Sequence, residues 1–304
     1  MTRINESIQR RKIRRTTEDW IVDIIVYAGA LFIFCVTFYP FYLAIILAFN
    51  EGTDATRGGI YFWPRAFTLE NFSMFLVDPR WLTALRITAM RTALGTCITT
   101  FFTCFVAYGL SDRELVGRKL YMSLIIFAMY FSGGIIPYYA LLRSLGLINT
   151  FWVYIFPGAL SIFYLLVSIS FFQSIPKELA ESARIDGAGE VSIFIKIILP
   201  ISKPLLATIA IFTAVGHWNA WFDSAFFIFD RGLRTLGYQL MAIINQQLAF
   251  MTGNLPPEAA AMATVTAMSV QLAAMIVAVT PILIVYPFFQ RYFVSGLSLG
   301  AVKG

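Results

Sequence analysis

Apolar residues are gathered into six long stretches, near 21–49, 87–110, 120–142, 150–172, 204–229 and 267–289. A helix that crosses a bilayer needs about 20 mostly apolar residues, so each stretch predicts one span. The polar connections between them are 50–86, 111–119, 143–149, 173–203 and 230–266, with tails at 1–20 and 290–304. The pattern predicts an all-α, polytopic integral membrane protein with six transmembrane helices over residues 21–289. One connection stands out. Residues 173–203 carry carboxylates, basic groups and a glycine pair between two very apolar runs. Ser174 as a capping hydroxyl, Pro176 in the first turn and Glu178 near the positive end of the dipole predict a helix start, with the helix running to about Ile185. Gly187 and Gly189 predict a corner. Val191, Phe194, Ile195 and Ile198 then recur at i, i+3, i+4 and i+7, which marks the apolar face of a second short helix. Pro200 and Pro204 bound the entry to the next span.

Composition agrees with this pattern. The 304 residues are 59% hydrophobic and 13% charged, with 29 Phe, whereas soluble domains carry roughly 25% charged residues. Cys35, Cys97 and Cys104 all lie in apolar runs without metal-ligand spacing. The net charge of +6 comes largely from Arg10, Arg11, Lys12, Arg14 and Arg15, ahead of the first apolar run. That tail reads as a topology determinant in front of a retained first span, and no nucleic-acid partner is expected. An even number of spans puts both termini on one side. That side also collects Arg113, Arg118, Lys119, Lys177, Arg184, Lys196, Lys203, Arg291 and Lys303. The opposite side holds Arg57, Arg65, Arg80, Arg143, Arg231 and Arg234, with Arg86 and Arg91 near a span edge. The bias places both termini and the 173–203 loop in the cytoplasm.

Candidate chemistry lies at two depths. In the fifth span His217, Trp218, Asn219, Trp221 and Asp223 crowd together. Polar groups there face a cavity or a partner helix. Indole rings stack on sugar faces, and amide and carboxylate groups hydrogen-bond sugar hydroxyls, so Trp218, Asn219, Trp221 and Asp223 are substrate-path candidates. The competing reading is helix–helix hydrogen bonding by His217 and Asn219 with the indoles facing lipid. Tyr138, at the outer end of the third span, joins the candidates. Ser132-Gly133-Gly134 reads as a bend beside a path or as close helix packing. Arg86, Arg91, Arg143, Arg231 and Arg234 suit either an acidic sugar or lipid headgroups. Trp63, Pro64 and Trp81 in the 50–86 loop suit an interfacial anchor or a partner contact. With a single histidine no His-based metal site is expected, and no G-x-x-x-x-G-K-[ST] phosphate loop occurs.

The residue order of the polar loop adds a sharper statement. Glu181-Ser182-Ala183, Arg184-Ile185, Asp186-Gly187-Ala188, then Phe194, Ile197, Leu199 and Pro200 resemble the EAA motif of ABC-importer permeases, with Ser182 in place of the first alanine. "GLSDRELVGRKL" (109–120) resembles that family's turn after the second span. "YFVSGLSLGAVKG" (292–304) resembles the tail of maltose-type sugar permeases, with Ser295 where a basic residue is usual. "GHWNAWFDSAFFIFD" (216–230) and "FSGGIIPYYALLRSLGLINTFWVYIFPG" (131–158) resemble the subgroup that handles complex oligosaccharides, uronides included.

The resemblance implies a type I ABC importer permease fold in a bacterial cytoplasmic membrane, and a pore-forming subunit rather than an enzyme. It implies coupling to an ATPase through Glu181, Ser182, Ala183, Asp186, Gly187, Ala188, Phe194, Leu199 and Pro200. In that picture Ala183, Gly187 and Ala188 allow close approach, Glu181 faces a basic group, and Asp186 caps or braces the corner. The implied partners are a second homologous permease, two ATPase subunits that hold ATP and Mg, an extracytoplasmic sugar-binding protein, an oligosaccharide substrate and the bilayer; this chain binds no cofactor. The rival is a secondary transporter driven by an ion gradient, which needs an ionisable carboxylate near mid-membrane, and Asp223 is the candidate for it.

Overall fold

The computed structural model describes residues 17–251 and 266–301. The helices are α1 (Thr17–Ala48), α2 (Gly52–Ala55), α3 (Glu70–Val77), α4 (Pro79–Ser111), α5 (Arg118–Tyr130), α6 (Ile135–Ser144) and α7 (Ile162–Phe172). They continue with α8 (Glu178–Ile185), α9 (Glu190–Ile193), α10 (Leu199–Ile201), α11 (Lys203–Asn219), α12 (Phe222–Phe227), α13 (Leu236–Met251) and α14 (Ala267–Ala301). Among the described residues there is no strand, only an isolated antiparallel bridge between Asn50 and Phe67.

The helix α4 is the centre of the molecule, with α11, α7 and α13 packed around it and α14 closing against α11, α13 and α1. It starts two turns before the apolar run that predicts it. Asp78 caps it by accepting from the Arg80 amide at 2.9 Å, and Pro79 takes the first position. By contrast α1 stands off the bundle. Its most apolar window buries nothing against the chain, and only its end, at Ala44, Ile46 and Ala48, is packed.

By length and composition, α1 and α4 can each cross a membrane as single helices. The other expected spans are broken. In the third, α5 and α6 meet at 119°. Gly134, at φ +82°, makes the bend that Ser132-Gly133-Gly134 predicted. In the fourth only the eleven residues of α7 are α-helical, after a 3₁₀ turn at Phe151–Tyr154. Its irregular backbone is satisfied by α4: the Thr99 hydroxyl donates to the Gly158 carbonyl at 2.8 Å, and Thr103 Oγ1 accepts from the Ser161 amide at 3.2 Å. Non-helical backbone at membrane depth survives only with such partners. The fifth ends at Asn219, resumes as α12, and meets the segment before it, Glu190–Ile201, at 83°. The expected 230–266 loop contains a sixteen-residue helix, α13, whose Leu236, Leu240 and Ile243 pack at helical spacing on the cluster around Ala273 and Ala274. The expected tail from residue 290 continues α14 to Ala301. The basic cluster at 10–15 lies outside the described residues.

Candidate functional site

The polar loop is α8, a corner, and α9 running into α10. The first helix ends at Ile185, as its sequence predicted. Its start differs: the Ser174 hydroxyl donates to the Phe171 carbonyl at 2.7 Å instead of capping α8, and Lys177 sits at the cap position without a side-chain capping bond. The corner is a Schellman turn. The Ala188 amide donates to the Ala183 carbonyl at 2.9 Å and the Gly187 amide to the Arg184 carbonyl at 3.0 Å, with Gly187 at φ +83°. Backbone bonds brace this corner; the Asp186 side chain takes no hydrogen bond among the described residues. Beyond it, Phe194–Ile198 is a π-helical turn rather than a continued α-helix, a form that recurs at functional sites.

The candidate coupling residues divide into two sets. Ala183, Ala188 and Leu199 pack partly buried on the core, and Phe194 is wholly buried among Phe101, Phe105 and Tyr108. These seat the loop. Glu181, Ser182, Asp186, Gly187 and Pro200 stay exposed. So does Ile185, 87% exposed at the apex, a large apolar side chain that the sequence argument passed over. Glu190 accepts from Arg184 Nε at 2.6 Å and Nη2 at 3.2 Å, and from the Tyr108 hydroxyl at 3.0 Å. The Arg184 bonds hold its carboxyl below the usual glutamate range.

At the other end of the bundle, Trp218, Asn219 and Trp221 line one cavity of about 270 Å³ with Leu240, Met241 and Ala278. None of its lining residues is charged. Trp218 is fixed there by donating its indole N–H to the Ala278 carbonyl at 3.0 Å. Tyr138 and Asp223 are elsewhere. Tyr138 borders a separate cleft of about 570 Å³ with Phe131, Pro137 and Phe222. Asp223 pairs with Arg91, which is buried, not at a span edge. Arg91 also donates to the Ala220 carbonyl at 3.3 Å and lies 4.6 Å over the Tyr154 ring, which ties α4 to the break between α11 and α12. A carboxylate neutralised in this way is a poor proton or sodium carrier, which weakens the gradient-driven reading. His217 bonds to nothing among the described residues; its ring fills the space over Gly95, where a Cβ would lie 2.5 Å from Nε2. Of the five arginines expected on the outer side, Arg91 and Arg234 are engaged internally, Arg234 on the Ser224 carbonyl at 3.1 Å and over the Tyr238 ring. Arg86, Arg143 and Arg231 are exposed.

Residues 19–299 match the family described as binding-protein-dependent transport system inner membrane component. The chain belongs to that family. It is therefore a membrane-embedded, pore-forming permease subunit of an ABC importer, a family that works with ATPase and binding-protein partners and carries no cofactor of its own. It is 38% identical over 275 residues to Protein LplC of Bacillus subtilis (strain 168), covering 88% of this chain and 90% of that one. It is 33% identical over 291 residues to the polygalacturonan/rhamnogalacturonan transport system permease protein YtcP of the same organism, covering 93% and 99%. Among solved structures, a chain of a bacterial ABC transporter involved in the import of the acidic polysaccharide alginate superimposes with a TM-score of 0.81 at 26% identity, over 92% of this chain and 99% of that one. The permease fold and the sugar-importer resemblance expected from the sequence are thus borne out.

Proposed function

We propose that this permease pairs with a second, homologous permease and two ATPase subunits, which hold the ATP and Mg, to import an acidic, uronide-containing oligosaccharide delivered by an extracytoplasmic binding protein. Both termini and the α8 loop face the cytoplasm in this reading. The observation that carries it is the form of the loop: Glu181 and Ile185 are exposed on a helix that Ala183, Ala188 and Phe194 help seat on the core. An exposed apolar tip beside a carboxylate, on a helix packed against the core at one face, suits a groove in a soluble partner that carries a basic group; such a pair fixes register more than affinity. Closure of the ATPases on ATP would draw the two loops together and turn the permeases outward, and hydrolysis would reverse it.

The acidic substrate is supported by the polygalacturonan/rhamnogalacturonan and alginate importers among the relatives. The uncharged cavity at Trp218, Asn219 and Trp221 suits the apolar face of a sugar ring, and the exposed Arg86, Arg143 and Arg231 suit attraction of an acidic sugar to the surface. The test is uptake of labelled oligogalacturonate by cells carrying the complete importer. We expect uptake to be lost without the ATPase and impaired by Trp221→Ala while the ATPase still co-purifies. Uptake that persists without any ATPase refutes the ATP-driven reading, and normal uptake by Trp221→Ala refutes the cavity assignment.

A further inference from the structure

The α8 loop meets α4 through two kinds of contact. One is apolar: Phe194 against Phe101, Phe105 and Tyr108, with Ile193 and Ile198 buried beside it. Such packing resists separation but sets little direction. The other is directional. Glu190 uses both carboxylate oxygens, one toward Tyr108 and Arg184 and the other toward Arg184 alone. Through these bonds it joins the cytoplasmic end of α4, the last turn of α8 and its own place at the start of α9.

Around this junction the loop is poorly supported. A cleft of about 870 Å³ opens between α8 and the end of α4, bordered by Ser111, Glu114, Lys177, Glu181 and Arg184 as well as Tyr108. An ion pair across it, Lys177 with Glu114 at 3.9 Å, joins side chains that are 64% and 85% exposed. A pair of that kind holds little against a load. Force applied at α8 can therefore do one of two things: close the cleft, or move α4.

We propose that Glu190, held by Tyr108 and Arg184, is a positioning clamp that makes α8 and α4 move as one body, so that displacement of α8 reaches the spanning helix instead of closing the cleft. Tyr108 and Glu190 lie outside the residues that resemble the coupling motif. The proposal rests on the reading that α8 docks on the ATPase.

The test uses the complete importer, with Cys35, Cys97 and Cys104 replaced by serine and spin labels at Arg113→Cys and Lys177→Cys, on the two lips of the cleft. Label distances are compared without nucleotide and with ATP on a hydrolysis-deficient ATPase. With Glu190 intact the distance should not change on adding ATP. With Glu190→Gln, and to a smaller extent with Tyr108→Phe, ATP should shift or broaden it. A distance that already changes with Glu190 intact, or stays fixed in both variants, overturns the clamp. Because Tyr108→Phe removes one hydroxyl and leaves the ring in place, it serves if Glu190→Gln does not assemble. Ile185→Glu, in parallel, separates the two readings: an ATPase that still co-purifies with it overturns docking at α8, whereas lost co-purification with a fixed cleft in both clamp variants overturns the clamp alone.

Discussion

Removing either member of the Arg91–Asp223 pair should destabilise the permease, and by unequal amounts. Breaking a buried ion pair by deleting one partner costs about 3–5 kcal/mol, because the remaining charge is left in a poor solvent. Here the partners differ. The Arg91 side chain is 4% exposed and that of Asp223 is 32% exposed. The open third of Asp223 admits polar contacts to a stranded carboxylate, so Arg91→Met should fall at the lower end, about 3 kcal/mol. The nearly sealed guanidinium of Arg91 has no such access. After Asp223→Leu it keeps only the Ala220 carbonyl and the Tyr154 ring, the ring contributing about 2 kcal/mol at best. That variant should sit at the upper end, near 5 kcal/mol. The double variant Arg91→Met, Asp223→Leu buries no unpaired charge and should lie within about 1–2 kcal/mol of the parent. The assay is the temperature at which half of the detergent-solubilised complex loses its monodisperse peak in fluorescence-detected size exclusion. The expected order is Asp223→Leu lowest, then Arg91→Met, with the double variant close to the parent. A double variant as unstable as the sum of the singles, or a reversal of the two singles, refutes the argument.

Three further outcomes follow from single contacts. Gly187→Ala meets no atom within 4 Å, so its cost is the left-handed backbone alone, roughly 1–2 kcal/mol; thermal stability should drop by that amount while the ATPase still binds, whereas Gly187→Pro should uncouple hydrolysis from uptake or block assembly. Gly95→Ala forces a methyl group against His217 and should cost about 1–3 kcal/mol, with His217→Ala restoring stability in the double variant. Glu190 has a depressed pKa because Arg184 donates to it, so its contribution is present above the ordinary glutamate range and lost only as pH falls through the lowered value. Hydrogen-exchange protection of the 184–190 segment, corrected for intrinsic rates, should be flat from neutral pH down to the ordinary range near 4.3; a loss beginning near pH 6 would contradict the ion pair.

What the sequence made legible was local. Ser132-Gly133-Gly134 announced a bend because glycine admits the positive φ that a sharp turn requires, and Gly134 adopts it. The corner at Gly187 and the end of α8 at Ile185 were read in the same way. Long-range pairings were not legible. Arg91 counted as an edge charge because its neutralising partner lies 132 residues away. The motif named Phe194 but could not separate residues that seat the loop from residues that face a partner; burial does that. Helix α13 was hidden because Gln239, Asn245 and Gln246 dilute an apolar stripe that exists only at helical spacing. The fourth span looked continuous because hydropathy registers side chains, while the break at Pro157 and Gly158 is in the backbone.

These misses share a physical cause, and it explains the composition of α4. The mean hydropathy of its best window is 1.6 against 2.4 for α1, and 39% of that window is buried against none for α1. A helix that faces lipid gains nothing from polar side chains. One surrounded by broken helices can supply hydrogen bonds to the backbone groups that those breaks leave free. The partners recur along α4: Thr88 accepts from the Leu236 amide where α13 begins, and Arg91 donates to the Ala220 carbonyl between α11 and α12. Thr99 and Thr103 serve the irregular stretch before α7. At the last turns Tyr108 reaches Glu190 at the start of α9. The breaks are the points where neighbouring segments can pivot, and those before α7, α9, α12 and α13 are bonded to the same unbroken rod. Displacement of α4 along or about its axis should therefore act on the break between α11 and α12 and on the α8–α9 loop together, without a separate relay between them.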